Sequence, residues 1–280
     1  MRITSGTWNG FVDADRQDSG PLHIDLARLT WAPPVVIAGV AAQAHRATSQ
    51  GRQVSFTAPE ASDVSAYLSR MHLGKALDDL GVMHDLPKVN ERDQKGNLVE
   101  LRRFSSEADG EELGGIVHDR LRDMSHVNGQ VAEAMHEALI EIATNTAIHA
   151  EVTHGYAIAQ TYPGKNEIVF AVADGGIGLM ESLSRNENHK PVDDGNAIEL
   201  AVIRNVSGFS DANRGYGLAQ VVRDAAEFGG RVEIASGGAS AVHTIASEDD
   251  AVTTASYTRT LSTPYNGVIV QASIPWEPTR

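Results

Sequence analysis

Four polar side chains recur at four-residue intervals in the segment EALIEIATNTAIHA: Glu137, Glu141, Asn145 and His149. On a helix, a step of four residues turns by about 40°, so Glu141 and Asn145 project from nearly the same face. An amide oxygen is a suitable ligand for Mg²⁺, and a neighbouring carboxylate can orient or deprotonate a water molecule. The solvated stripe of an ordinary amphipathic helix has the same spacing, although Asn145 is unfavourable inside a helix unless it has a further role.

A second group of residues that could do chemistry follows an apolar stretch, in VADGGIGL. Asp174 stands where a strand would end, and Gly176 and Gly178 come shortly after it. A carboxylate there can accept a hydrogen bond from an exocyclic amine such as that of adenine, and the glycines let the backbone pass close to a flat base or a sugar. A simple turn with Asp as its turn former has the same composition, so this motif alone leaves both interpretations open.

A third motif, NRGYGLAQVV, places Gly215 and Gly217 just before a helix. Backbone N–H groups at a helix start form a site for anions such as phosphates, and Arg214 adds a positive charge beside them. A hinge or helix cap with an incidental arginine gives the same pattern. The motif therefore indicates a phosphate site without requiring one.

The order of these motifs resembles that of the GHKL superfamily of ATPases, which includes gyrase B subunits, mismatch-repair ATPases, heat-shock chaperones, sensor histidine kinases and anti-sigma-factor kinases. The resemblance covers residues from about 98 to 280 and implies a Bergerat fold that binds ATP and Mg²⁺ under a lid, here from about 180 to 213. It assigns the role of general base to Glu141 and the role of magnesium ligand to Asn145. Nucleotide binding is assigned to a larger set: Asn145, His149, Asp174, Gly176, Gly178, Arg214, Gly215, Gly217 and Leu218.

Two features depart from the family pattern. Members often have a Gly-Thr pair entering the last strand, where the hydroxyl supports the adenine site, whereas this chain has Asn266, Gly267 and Val268. The lid region also lacks a clear glycine-rich phosphate loop. No P-loop GKS or GKT occurs in the sequence, so that alternative phosphate cradle is absent.

Hydrophobic periodicity predicts the elements that must position these residues. The strongest prediction is a helix from Val131 to Ala150. Further helices are predicted at EELGGIVHDRLRDM, GNAIELAVIR and YGLAQVVRDAAEFGG, and strands at NLVELRRF, EIVFAVADGG, RVEIAS, AVHTIA and GVIVQASIP. We therefore expect an α/β (α+β) fold in which residues 98–280 form a two-layer α/β sandwich with a mixed sheet.

The N-terminal residues predict a separate small α/β domain with the order strand, helix, strand, helix. Its strands are predicted at HIDLARLTW and RQVSFTAP, and its helices at APPVVIAGVAAQAHRATSQG and SDVSAYLSRMHLGKAL. This unit resembles a STAS domain, the fold of anti-sigma-factor antagonists, which implies a regulatory role. The turn that carries a phosphorylatable serine in that family reads Trp31, Ala32, Pro33, Pro34 here, so the acceptor hydroxyl is missing. The expected boundaries are 1–88 for this domain, 89–97 for a charged linker and 98–280 for the ATP-binding domain.

Composition restricts the setting in which the protein works. The chain has 280 residues, no cysteine and a formal net charge of −14. The acidic balance makes nucleic acid an unexpected partner, and the lack of cysteine excludes disulfides and thiolate metal sites. No segment has the apolar character of a signal peptide or a membrane span, so we expect a cytoplasmic protein with no membrane association.

Three functions fit these observations. The first is an ATP-binding regulatory protein in which slow Mg²⁺-dependent hydrolysis closes the lid and controls a partner protein. The second is a serine/threonine kinase of the anti-sigma-factor class, in which Glu141 accepts the hydroxyl proton of a separate antagonist protein. The third is a non-catalytic module that only binds ATP. The expected partner is another protein, such as a STAS-domain antagonist or a sigma-factor-like regulator, and a homodimer is compatible with all three functions.

Overall fold

The computed structural model describes residues 1–90, 98–124, 127–149, 153–187, 190–203, 217–248 and 251–276. Short helices and strands alternate in the first part of the chain, and a larger sheet with its helices follows. The elements are, in chain order, α1 (Trp8–Val12), β1 (Leu22–Asp25), α2 (Pro34–Ser49), β2 (Val54–Thr57), α3 (Ser62–Arg70), α4 (Leu73–Asp79), β3 (Leu98–Phe104), α5 (Glu107–Arg122), α6 (Gly129–His149), β4 (Gly155–Tyr162), β5 (Glu167–Ala173), α7 (Gly178–Ser184), α8 (Asp194–Ala201), α9 (Gly217–Glu227), β6 (Arg231–Glu248) and β7 (Ala251–Pro275).

The larger sheet has five strands in the order β3-β4-β5-β7-β6. Its pairings are all antiparallel, so the expectation of a mixed sheet was wrong in that detail. The reason is connectivity: β4 and β5 are joined by a short turn at residues 163–166, and β6 and β7 form one long hairpin, both of which favour antiparallel neighbours. The predicted α/β class is confirmed, and helices α5, α6 and α9 make residues 98–276 a sandwich of helices on a sheet.

Each face of this sheet is apolar. Ala157, Phe170, Val172, Ile234 and Val270 face the layer formed by α5, α6 and α9 and share its hydrophobic core. The alternate positions of the same strands belong to a second core: Tyr156, Ile158, Ala171, Ala173, Ala235 and Ile269. Strand β5 is therefore buried on both sides, which explains why its sequence is apolar at nearly every position.

Helix α2 covers the second face, which we call the α2 face. The helix contacts β4, β5 and β7, and its own residues are buried from Pro34 to His45. The segment from Pro34 to Ala42 is apolar around the whole circumference of the helix, so it must be surrounded by protein, and α2 lies between this face and the small parallel pair β1–β2. The N-terminal unit thus adds a third layer to the two-layer sandwich.

The N-terminal unit has the predicted order of strand, helix, strand and helix, with two corrections. Strand β1 ends at Asp25, so Leu26 and Leu29 are buried in the turn that follows it. The helix predicted over SDVSAYLSRMHLGKAL is two helices, because His72 adopts a left-handed conformation with a φ of 64°. Such a residue ends the regular hydrogen bonding of α3 and lets α4 start in a new direction.

The strands of the C-terminal part differ most from prediction. Strand β4 was not predicted, and RVEIAS and AVHTIA lie in one continuous strand, β6, with a register shift at Gly237. The predicted lid, from about 180 to 213, overlaps most of α7 and contains the expected α8, while residues 204–216 lie outside the described part. Most of the predicted linker, residues 91–97, also lies outside it. No helix within the described ranges is long and apolar enough to cross a membrane.

Candidate functional site

The described parts of the three predicted motifs lie at one end of the sheet. Helix α6 begins beside the start of β5, because Asn128 N–H donates to the carbonyl of Trp276, whose own N–H donates to Asn166. The helix then runs for 21 residues and leads into β4, whose Tyr156 pairs with Ala173 at the far end of β5. The C-terminal half of α6 therefore lies at the same end of the sheet as Asp174.

Helix α9 has the same orientation. It ends at Glu227, and β6 then starts at Arg231, opposite Ser273 near the beginning of β5. The N-terminal end of α9, with Gly217 and Leu218, is consequently directed towards the end of the sheet that carries Asp174. Helices α6 and α9 also contact each other.

Asp174 is held by backbone groups from two separate segments. Its Oδ1 accepts hydrogen bonds from Gly176 N–H at 2.8 Å and from Val268 N–H at 3.2 Å. Its own N–H donates to the carbonyl of Val268 at 2.9 Å. The side chain is only 2% exposed, so the orientation of this carboxylate is fixed in a site shielded from water.

The surroundings of Asp174 raise its pKa to about 6. Burial is the main cause, since it disfavours the charged form, and it outweighs the two backbone hydrogen bonds and the nearby Arg46 guanidinium, which all favour the carboxylate. The group can therefore change its charge near neutral pH. Buried carboxyls with such a pKa are frequent at functional sites, although structural networks also produce them.

Glycines allow the backbones around Asp174 to approach closely. A Cβ atom on Gly267, which has a φ of 97°, would lie 2.2 Å from the carbonyl oxygen of Asp174. Gly178, with a φ of 80°, starts α7 beside Ser236, whose Oγ accepts a hydrogen bond from Leu179 N–H at 2.9 Å. At Asn266–Val268, where the sequence departs from the GHKL pattern, the backbone of β7 supports Asp174.

Glu141 lies on α6 and is half buried. Burial raises the pKa of its carboxyl, and the negative charges of Glu107 and Glu137 raise it further. A carboxylate with a raised pKa is a better proton acceptor than an exposed one. The structure thus shows a partly shielded carboxyl at Glu141, and its role as general base stays a prediction.

The other predicted residues are described to different extents. Asn145 and His149 lie on α6, but their side chains are outside the described part of the structure, as are Arg214 and Gly215. Leu218 is buried in the core beneath α9, so a ligand could contact it only through its backbone. Among the described residues, no group of three or more His, Asp or Glu side chains is arranged to hold a metal ion.

Sequence reasoning missed the contribution of α2. Arg46 Nη1 donates hydrogen bonds to the carbonyls of Gly175 at 2.7 Å and Gly176 at 3.1 Å. Gln43 Nε2 donates to the carbonyl of Asn266 at 3.0 Å. A signal was present, because the polar residues Gln43, His45 and Arg46 follow an unbroken apolar run from Pro34 to Ala42. A cavity of about 280 Å³ borders this loop, and Arg46, Gly176, Gly178, Ser236 and Asn266 are among its lining residues.

Comparison with known proteins gives little further information. No family model and no curated protein matches the chain. Among solved structures, the chain is similar to the ATPase region of Saccharomyces cerevisiae topoisomerase II, with 10% sequence identity and a TM-score of 0.25. The match covers 41% of this chain and 30% of that one. A likeness this distant assigns neither a family nor a function.

Proposed function

We propose that residues 98–280 bind ATP together with Mg²⁺ and hydrolyse it slowly, and that the bound nucleotide controls how a partner protein is held. The observation that carries the proposal is Asp174. It is a buried, oriented carboxylate directly after the central strand, at the end of the sheet towards which α6 and α9 direct their motifs. The order of the three sequence motifs, which resembles that of GHKL ATPases, supports the same site.

Asp174 would recognise the adenine base. Its Oδ1 is engaged by Gly176 and Val268, which leaves Oδ2 as the oxygen that accepts a hydrogen bond from the exocyclic amine. Because the carboxylate is already fixed, little side-chain entropy would be lost on binding. Guanine carries a carbonyl where adenine carries this amine, so the same oxygen would discriminate against guanine nucleotides.

The phosphates would lie at the start of α9. This helix has 11 residues, and its first backbone N–H groups have no partner within the helix, so they can bind an anion. By the sequence motif, Arg214 and Gly215 precede this helix and would complete the phosphate site together with Gly217 and Leu218. His149 would contribute from the last turn of α6.

The oxygen donors of α6 fit a magnesium ion. Asn145 provides an amide oxygen one helical turn after the Glu141 carboxylate, and Mg²⁺ prefers such oxygen ligands together with phosphate oxygens and water. When bound, the ion would neutralise phosphate charge. Glu141 would act on the attacking water as the proton acceptor, a role that its raised pKa favours.

The N-terminal residues 1–88 would be the regulatory unit. They retain the order of strand, helix, strand and helix on which the STAS resemblance is based. The linker between this unit and the ATP-binding residues 98–280 would be residues 89–97. The partner would be another protein, because the turn from Trp31 to Pro34 offers no hydroxyl to phosphorylate.

The proposal is tested with the full chain, labelled ATP and Mg²⁺. We expect ATP to bind, GTP to bind at least about tenfold more weakly because a buried polar group would be left unpaired, and phosphate to be released slowly. Asn145→Ala should abolish the Mg²⁺-dependent part of binding, whereas Glu141→Ala should bind ATP normally but release no phosphate. Failure of the unchanged chain to bind ATP would refute the proposal.

Adding a serine-containing STAS-domain protein to the same assay separates hydrolysis from transfer. Label on that protein would show a kinase, and tight binding with neither release nor transfer would show a module that only binds ATP. Equal ATP affinity of the Asn145→Ala variant and the unchanged chain in the presence of Mg²⁺ would remove Asn145 from the site.

A further inference from the structure

Helix α2 is joined to both backbone segments that hold Asp174. Arg46 donates its two hydrogen bonds to the carbonyls of Gly175 and Gly176, in the turn that follows Asp174. Gln43 donates to the carbonyl of Asn266, two residues before Val268, whose N–H binds the carboxylate. One helix of the N-terminal unit is therefore hydrogen-bonded to both of the segments between which the carboxylate is fixed.

The loop also rests directly on the helix. A Cβ atom on Gly175 would lie 2.6 Å from the Cβ of Arg46 and 2.9 Å from the carbonyl oxygen of Ala42, distances that no larger residue could accept without movement. The first glycine after Asp174 is thus required by the contact with α2, whereas the sequence motif suggests that glycines here make room for a ligand. Any displacement of α2 would be passed to this loop.

The polar residues of α2 that cross the interface are concentrated at this end of the sheet. His45 Nε2 is 2.9 Å from the Oγ1 of Thr153, which lies between α6 and β4. With Gln43 and Arg46, this gives contacts to three segments around the end of β5. A helix that only packed against the sheet would need apolar side chains alone, as it has from Val35 to Ala42.

We propose that Arg46 and Gln43 are positioning residues of the nucleotide site, so that the adenine end of the site is built jointly by the N-terminal unit and the C-terminal sheet. This inference rests on the proposed function. In this proposal the N-terminal unit regulates the site through α2, because a partner or ligand that shifts α2 changes the affinity for adenine. Bound adenine changes the affinity for that partner or ligand by the same factor.

The test compares two arginines that make equivalent bonds in different places. Arg52 donates to the carbonyls of Gly20 and Gln17, both at 2.7 Å, within the N-terminal unit. Arg46→Ala and Arg52→Ala therefore each remove an arginine bonded to two carbonyls, but only the first releases the loop after Asp174. Affinities for adenosine and for ATP, with and without Mg²⁺, are measured by calorimetry on the full chain, and thermal unfolding is recorded for each variant.

We expect Arg46→Ala to weaken adenosine and ATP by a similar factor of about ten, because charge-assisted hydrogen bonds that orient the base site are lost while the phosphate end is unchanged. The factor by which Mg²⁺ improves ATP binding should stay the same. Arg52→Ala should bind both ligands as the unchanged chain does. If the affinities of Arg46→Ala and Arg52→Ala agree within roughly a factor of two, the inference is wrong even though the proposed function stands.

Arg46→Gln provides a second measurement that a purely structural role would not affect. Glutamine retains hydrogen-bond donors but removes the positive charge of Arg46. That charge lowers the pKa of Asp174 and so opposes the effect of burial. Among the described residues, the other titratable group that faces this carboxylate is Tyr265 on β7. The pH at which adenosine binding is half lost should therefore move upwards in this variant. An unchanged midpoint would overturn the inference, and absence of nucleotide binding by the unchanged chain would overturn the proposed function together with it.

Discussion

The two faces of the five-stranded sheet are covered in different ways. One face packs against α5, α6 and α9, which belong to the same part of the chain as the sheet and carry two of the three predicted motifs. The other face packs against α2, which comes from the N-terminal unit and carries no recognised motif. Both layers nevertheless reach the end of β5 where Asp174 lies.

The contrast teaches that contacts around a candidate site can come from a layer that carries no recognised sequence motif. The helix layer supplies the side chains that a motif search finds, because their chemistry is explicit in the residue type. The α2 layer acts through the backbone of the loop, so its contribution depends on position alone. Three predictions test this difference, and all concern the stability of the fold.

The largest effect is expected from removing the α2 layer. A chain that starts at residue 89 would expose Tyr156, Ile158 and Ile269 on the α2 face. Each large apolar side chain contributes roughly 1.5–3 kcal/mol when buried, and a whole domain has only about 5–15 kcal/mol of net stability. We expect the shortened protein to aggregate or to lose cooperative thermal unfolding.

The control for this deletion is the full chain cut at a protease site introduced within residues 91–97. Its two fragments should elute together in size-exclusion chromatography, because the interface is intact. A shortened protein that is monomeric and unfolds cooperatively at the temperature of the full chain would show instead that the two parts are separable domains.

A smaller effect is expected at Asp174, where the two layers meet. Because the folded-state pKa of about 6 is above the ordinary value of 3.8, ionisation of Asp174 destabilises the fold, by up to about 3 kcal/mol once the pH exceeds 6. Asp174→Asn keeps an acceptor for the N–H groups of Gly176 and Val268 and removes this cost. The variant should be more stable than the unchanged chain at pH 8 and equally stable near pH 4, while its affinity for ATP falls.

Asp224→Asn is the matched control in the helix layer. Asp224 is also buried, burial raises its pKa, and its Oδ1 accepts a hydrogen bond from Gln220 at 2.6 Å. It lies near the C-terminal end of α9, away from the proposed phosphate site. This variant should gain stability at pH 8 without losing ATP affinity, and a loss of stability in Asp174→Asn at pH 8 would contradict the argument from burial.

The smallest effect is expected for Glu141→Gln on α6. Burial and the charges of Glu107 and Glu137 raise the pKa of Glu141, so its ionised form is mildly unfavourable and glutamine should stabilise the fold at pH 7. Because the side chain is half exposed, solvent screening limits the gain to less than about 1 kcal/mol. The gain should vanish below the ordinary pKa of a glutamate. Chemical denaturation at pH 7 and pH 4 measures it, with Glu111→Gln on the exposed side of α5 as a variant that should change nothing.

Local pattern predicted the elements that are long or strongly apolar. The helix expected from Val131 to Ala150 is α6 (Gly129–His149), because its apolar residues recur at helical spacing. The strand expected at EIVFAVADGG is β5, because a short continuous apolar run is typical of a strand buried on both faces. Strand β4 escaped prediction since two of its residues on the helix-layer face are the small Ala157 and Ala159, which give a weak alternation signal. The continuity of β6 was missed because its glycines resemble a break between two strands, whereas the chain passes through Gly237 with only a register shift.

The sequence by itself determined which residue types stand beside each other along the chain: the four-residue spacing on α6, the Asp174–Gly178 turn and the glycines before α9. Tertiary structure decided which of them meet. Val268, which orients Asp174, is 94 residues away in the chain, and Arg46, which supports the following turn, is 129 residues before the carbonyl it binds. Such contacts form only when strands pair and layers pack, so they depend on the whole fold and leave no periodic trace in the segments that make them.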